Sequence, residues 1–150
     1  MASFKMTRAT PQMRDLAKRL IVHEMRRNKS LPIEARRAFS VCEKLGLHLR
    51  TIVGSAGVAA LISRSLIVTN EEVGWLRGVA VKTDGSLEGL DDLDGKVDPE
   101  EIVQGSVVLV AQLLGLLLAF IGESLTVGIV REVWPKVSLG HLDFGKRVKR

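Results

Sequence analysis

The sequence predicts a mainly α-helical domain, a bundle of four to five helices around one long apolar helix at about 99–133, with a small β-hairpin near 79–90. Three observations predict it. Apolar residues recur at helical spacing along most of the chain, only four prolines interrupt its 150 residues, and Ile102 to Gly122 runs for 21 residues without a charge. At 46% hydrophobic and 26% charged residues, the chain has the composition of a folded domain, neither disordered nor loop-rich. Residues 1–150 read as a single helical domain, with 1–9 and 145–150 as flexible tails.

The first helix opens at Thr10, which can cap it, and Pro11, whose missing N–H costs nothing at the first helical position. Met13, Leu16, Ala17, Leu20, Ile21 and Met25 then form a stripe of 3.6-residue period, with Arg14, Lys18, Arg19, His23 and Arg26 opposite. A second helix is expected from Pro32 to about Leu45, burying Ile33, Ala38, Val41, Cys42 and Leu45, with Gly46 able to end or bend it. A third segment, Leu47 to Leu66, is rich in small residues between Gly54 and Ala60. Glycine inside a helix costs about 1 kcal/mol relative to alanine, so either the segment breaks there or another backbone approaches closely.

Val79-Ala-Val81 and Ser86-Leu87-Glu88 flank Asp84-Gly85, a dipeptide suited to a two-residue type I′ hairpin turn. Leu90 to Asp98 is an acidic connector. Asp98-Pro99-Glu100-Glu101 then carries the marks of a helix start: a cap, a proline at the first position, and acids against the positive end of the dipole. The uncharged run that follows has the length of a membrane span. Its small residues Ala111, Gly115 and Ala119 share one face, which lets another helix come close. Gln104, Ser106 and Gln112 interrupt the run, and no second segment of membrane length pairs with it. A central bundle helix has the same all-round apolar character, and that is the expectation here. Glu123 to Trp134 continues helically until Pro135.

Charge is unevenly distributed. Residues 1–50 carry a net +8, residues 71–101 a net −7 and residues 102–150 a net +3, within a total of +5. A basic arm and an acidic middle can satisfy one another within a fold or across a dimer. The basic surface residues Arg14, Lys18, Arg19, Arg26, Arg36 and Arg37 could instead meet nucleic acid or anionic lipid. With no tyrosine and few other aromatic residues, a base-stacking platform is not expected.

No catalytic constellation emerges. The stretch Thr51 to Ala60 lacks the first glycine of a dinucleotide fingerprint, because position 52 is Ile, and no lysine follows the glycines as a P-loop requires. His23, His48 and His141 lack the close ligand spacing of a zinc site. Cys42, the single cysteine, sits on an apolar stripe, where a small core residue is expected rather than a nucleophile. Asp91-Asp92-Leu93-Asp94 lacks the spacing of a calcium loop. Neither a metal nor a cofactor is expected, and the start of the chain shows no secretory signal, which favours a cytoplasmic protein.

Several pieces taken together carry a resemblance. They are Val41-Cys-Glu-Lys-Leu45, Ser63-Arg-Ser-Leu66, Val81-Lys-Thr-Asp-Gly-Ser-Leu-Glu-Gly-Leu90, Val108-Leu-Val-Ala-Gln-Leu-Leu-Gly115, Phe120-Ile-Gly-Glu123 and Arg131-Glu-Val-Trp-Pro135. Over roughly 12–145 the chain resembles a group of small uncharacterised bacterial proteins of unknown function. The resemblance implies a bacterial cytosolic origin and supplies no activity, cofactor or catalytic residue.

The functional expectation is therefore a non-enzymatic helical interaction or adaptor protein that self-associates as a homo-oligomer, with Gly54, Gly57, Ala111, Gly115 and Ala119 as helix-packing or interface positions. The alternatives are a membrane-associated protein that uses the apolar helix 102–122, and a nucleic-acid binder that uses the basic N-terminal helices.

Overall fold

A computed structural model describes residues 10–27, 34–93 and 95–137. Helix α1 spans Pro11–Arg27, α2 Glu34–Ala38, α3 Ser40–Glu72 and α4 Pro99–Val133. Strands β1 (Ala80–Val81) and β2 (Leu87–Glu88) form one antiparallel hairpin, and short 3-10 turns lie at Gly74–Gly78 and Asp91–Leu93. The protein is mainly α-helical with a small hairpin, as the periodicity predicts.

Helix α1 begins where expected. The Thr10 hydroxyl accepts the Met13 N–H at 3.2 Å, and Met13, Leu16, Ala17, Leu20 and Ile21 form its buried face. The second helix differs from expectation. Pro32 and Ile33 lie outside the described residues, α2 ends at Ala38, and Phe39 turns the chain (φ −96°, ψ 6°) before Ser40 starts α3. That turn places the Phe39 ring wholly in the core. Gly46 neither ends nor bends the helix; it is a packing position. A methyl group there would lie 3.2 Å from Val58 Cγ1 and 3.7 Å from Ile62 Cδ1.

That contact defines the fold of α3. In an unbroken helix, residues 46 and 58 would stand roughly 18 Å apart, and 46 and 62 roughly 24 Å. They touch because Gly54, at φ 78° and ψ 168°, reverses the chain. Few residues other than glycine occupy this region. Helix α3 is thus two limbs, 40–53 and 55–72, folded against each other.

Helix α4 repeats the device. It starts at Asp98-Pro99 as expected, although the Asp98 side chain makes no capping hydrogen bond, and it breaks at Gly122 (φ 88°, ψ 169°). The Ser106 hydroxyl donates to the Ala38 carbonyl. The Trp134 indole N–H donates to Glu24 at 2.7 Å, and the same carboxylate lies 3.4 Å from the Ser40 hydroxyl, two residues from Ala38. In a straight helix, residues 106 and 134 would be roughly 42 Å apart. Both ends of α4 therefore return to the same end of the molecule, the base. Seven consecutive residues of the first limb, Val108 to Leu114, are buried. A helix turns a new face outward at each residue, so such a run requires neighbours on all sides. Each large aliphatic side chain buried there contributes about 1.5–3 kcal/mol.

Glu24 clamps the base. It is 1% exposed and receives the Trp134 indole N–H, the Lys44 ammonium at 2.9 Å and the Ser40 hydroxyl, which joins α1, the first limb of α3 and the end of α4. The β-hairpin lies on the outer side of α3. Its turn differs from the expected two-residue type. Gly85 N–H bonds Lys82 C=O at 2.9 Å and Lys82 N–H bonds Ser86 C=O at 2.8 Å, so the loop holds three residues, with Gly85 at positive φ (91°). Asp84 is used differently: it accepts from the Ser86 amide and hydroxyl, which hold its carboxyl below the usual range.

Candidate interaction surface

The two glycine breaks project from the same end of the molecule, opposite the base. From the base, where Ala38 meets Ser106, the first limb of α3 must climb alongside α4, because its His48 Nε2 lies 3.6 Å from Glu132 Oε1 on the returning limb. Were that limb to descend, roughly 20 Å or more of helix rise would separate the two groups. Gly54 and Gly122 both lie beyond this contact, at the ends of the two helical hairpins.

The two ends share a local pattern. Ile52-Val53-Gly54-Ser55 and Phe120-Ile121-Gly122-Glu123 each place two bulky apolar residues before the glycine and a polar residue after it. The polar residue opens the next helix, and the Thr126 hydroxyl donates back to the Gly122 carbonyl at 2.7 Å. Ile121 packs against the core, whereas Phe120, Ile52 and Val53 are exposed. Phe120 is 68% exposed, Leu125 51%, Ile52 45% and Val53 37%, with Leu47 at 59% about two turns before Gly54; Ile67, at 61%, stands apart on the second limb of α3. Thr51 to Ala56 are exposed without interruption. Glu123 is the only charged residue among 51–57 and 119–126. Single exposed apolar residues are unremarkable on a protein surface; here several stand close to the two reversals.

The positions singled out in the sequence separate on this frame. Gly54 stands at one break, with open space around it. Gly57 faces only Val53 of its own hairpin. Ala111 is buried in the core, Ala119 is exposed beside Phe120, and Gly115 looks towards Met13 of α1, whose Sδ would lie 3.5 Å from an added methyl group. Sequence reasoning missed Phe120, Leu125, Ile52 and Val53. The signal was present as a pair of bulky residue–glycine–polar steps inside otherwise continuous helical patterns.

The basic residues are largely engaged with the acidic middle of the chain or with neighbours. Arg14 forks onto Glu72 at 2.9 and 3.2 Å, Arg36 meets Asp91 at 2.9 Å, and Arg19 meets Asp15 at 3.0 Å. Arg37 is half-buried, while Lys18 and Arg26 are exposed on α1. A cleft of about 230 Å³ between α3 and the hairpin contains Glu43 and Arg50, but both hold the hairpin in place: Glu43 accepts the Leu87 amide and Arg50 donates to the Asp84 carbonyl.

Cys42 is wholly buried, and burial, with a smaller contribution from Glu43, pushes its thiol up to about 12. A thiol so held is not a nucleophile at neutral pH. Among the described residues, no three histidine, cysteine or carboxylate side chains come together as a metal site. His141, Asp143 and the basic end Lys146 to Arg150 lie outside the described residues. No family model, curated protein or solved structure matches the chain.

Proposed function

We propose that this protein is a non-enzymatic, cytoplasmic interaction protein that self-associates through the apolar end formed by its two helical hairpins. The observation that carries the reading is the gathering of Ile52, Val53, Phe120 and Leu125 around two glycine reversals at one end. Interfaces between copies of a chain are rich in apolar and aromatic residues, and Phe120 supplies the large anchor that such contacts favour. Two carboxylates of the acidic middle, Glu72 and Asp91, pair with Arg14 and Arg36, and the single cysteine is sealed in the core, which supports an adaptor rather than a thiol enzyme.

A second reading, attachment to a lipid surface by the same end, draws support from composition. Both α3 and α4 are long and apolar enough to cross a membrane by length and composition, and the most apolar stretch is 28% buried in α3 against 56% in α4. The core reading suits α4, which is enclosed by its neighbours. Helix α3 reverses at Gly54, so both of its ends return to one side. Fractionation of cells expressing the protein, followed by sizing of the soluble form, tests the choice. The proposal expects the protein in the supernatant without detergent, eluting larger than a monomer. Recovery only with detergent, or retention on membranes after a high-salt wash, favours the lipid reading.

A further inference from the structure

A groove of about 570 Å³ runs between α1 and the residues that follow α4, on a different part of the molecule from the apolar end. Its volume falls within the range of small-ligand sites. Lys18, Arg19 and Arg26 line it from α1, and Lys136 lines it from the other side. Residues 18, 22 and 26 are four apart, so their side chains share one helix face with Val22 between the two cations. Val22 and Val137 supply an apolar floor, and His23 adds a ring nitrogen.

The electrostatics are one-sided. Asp15 is the only carboxylate lining the groove, and it is engaged with Arg19 at 3.0 Å. Glu24, next along α1, is turned into the core and satisfied there by Lys44 and Trp134. Among the described residues, Lys18, Arg26 and Lys136 have no acidic partner. Like charges thus line one groove from two chain segments, and their summed field favours an anion there. A single carboxylate would neutralise only one of the three. Among the described residues, His23 is the one ring lining the groove and no Phe, Tyr or Trp joins it, so positive charge is the dominant feature it offers a ligand.

We propose that this groove binds a ligand carrying two or more linked phosphates. The Arg26 guanidinium offers a fork to one phosphate, and Lys18 and Lys136 act as point charges on the neighbouring oxygens. The linked phosphates can belong to inorganic pyrophosphate, to a nucleoside diphosphate or to a multiply phosphorylated lipid headgroup. In every case the recognised chemistry is the same.

Calorimetric titration of the full chain at physiological salt tests this, with inorganic pyrophosphate, ADP, orthophosphate and sulfate as probes. Vesicles of neutral lipid with and without a bisphosphorylated inositol lipid form a further arm, alongside that lipid's soluble headgroup. Pyrophosphate should bind at least roughly 10-fold more tightly than orthophosphate or sulfate. The double substitution Lys18→Ala with Lys136→Ala should weaken it by about 10-fold or more. The variant Arg64→Ala with Arg77→Ala, both exposed and outside the groove lining, should bind like wild type. Equal binding of ADP and pyrophosphate identifies a soluble source; binding of the inositol headgroup and its vesicles above both identifies a lipid one. Equal affinity for sulfate and pyrophosphate overturns the proposal. So does binding unchanged by the groove substitutions, or lost instead on neutralising Lys146, Arg147, Lys149 and Arg150.

Discussion

Replacing Gly54 with alanine tests the folding-back of α3 without disturbing any contact. The backbone there has φ 78° and ψ 168°, and a methyl group would meet nothing within 4 Å. The whole penalty is therefore conformational. Holding an L-residue in this region costs about 1–3 kcal/mol, while alanine narrows the unfolded ensemble and returns about 0.4–1 kcal/mol. The net loss is about 1–2 kcal/mol, which for a chain of this length lowers the melting temperature by roughly 2–8 °C. Gly128 supplies the matched control, because it is exposed, helical and equally free of neighbours. There the same substitution should stabilise by about 0.5–1 kcal/mol, since alanine is the better helix former. Urea unfolding monitored by far-ultraviolet circular dichroism reads both. If Gly54→Ala stabilises as Gly128→Ala does, α3 runs straight through residue 54 and the hairpin description is wrong.

Other consequences follow from single contacts. Gly105→Ala would bring a methyl group to 2.6 Å from Trp75 Cζ2, and overpacking of this kind should cost about 1–3 kcal/mol in the same unfolding assay. Trp134→Phe keeps the ring in place but removes the N–H that reaches buried Glu24, so stability should fall by about 1.5–3 kcal/mol. Native Cys42 should resist iodoacetamide at pH 8 and react on unfolding, as mass spectrometry would show. Its thiol rises from 9.0 to about 12 in the fold, so the unfolded chain loses this proton first as pH rises. The stability linked to the protonated thiol is complete below pH 9 and declines between pH 9 and about 12, by up to about 1.4 kcal/mol per pH unit. Cys42→Ala should lack that part of the alkaline slope.

Much of the fold is written in local signals. The start of α1 follows from the Thr10 cap, the start of α4 from Pro99 at its first turn, and the enclosed run Val108 to Leu114 from periodicity, while Asp84-Gly85 marks the place of the hairpin but not its turn type. The reversals were harder to read. Glycine inside an apolar helical pattern signals either a break or a close approach, and only tertiary contact decides: Gly46 and Gly105 are close approaches, whereas Gly54 and Gly122 are reversals. The end of α2 at Ala38 was hidden for a related reason. Nothing in the periodicity marks Phe39, whose turn is set by the space its ring fills in the core. The apolar surface was equally out of view, because Ile52 and Phe120 continue helical apolar stripes and become exposed only where the chain reverses.

We propose that the two hairpin ends form one contact surface between copies of the chain. Sedimentation equilibrium of wild type beside the double substitution Ile52→Ser with Phe120→Ser tests it most directly. Both residues are exposed, at 45% and 68%, so polar replacement should leave the melting temperature nearly unchanged. Wild type should form a reversible dimer or higher oligomer, and the variant should remain a folded monomer. Wild type that remains monomeric at every concentration, or a folded variant that associates as wild type does, would contradict it.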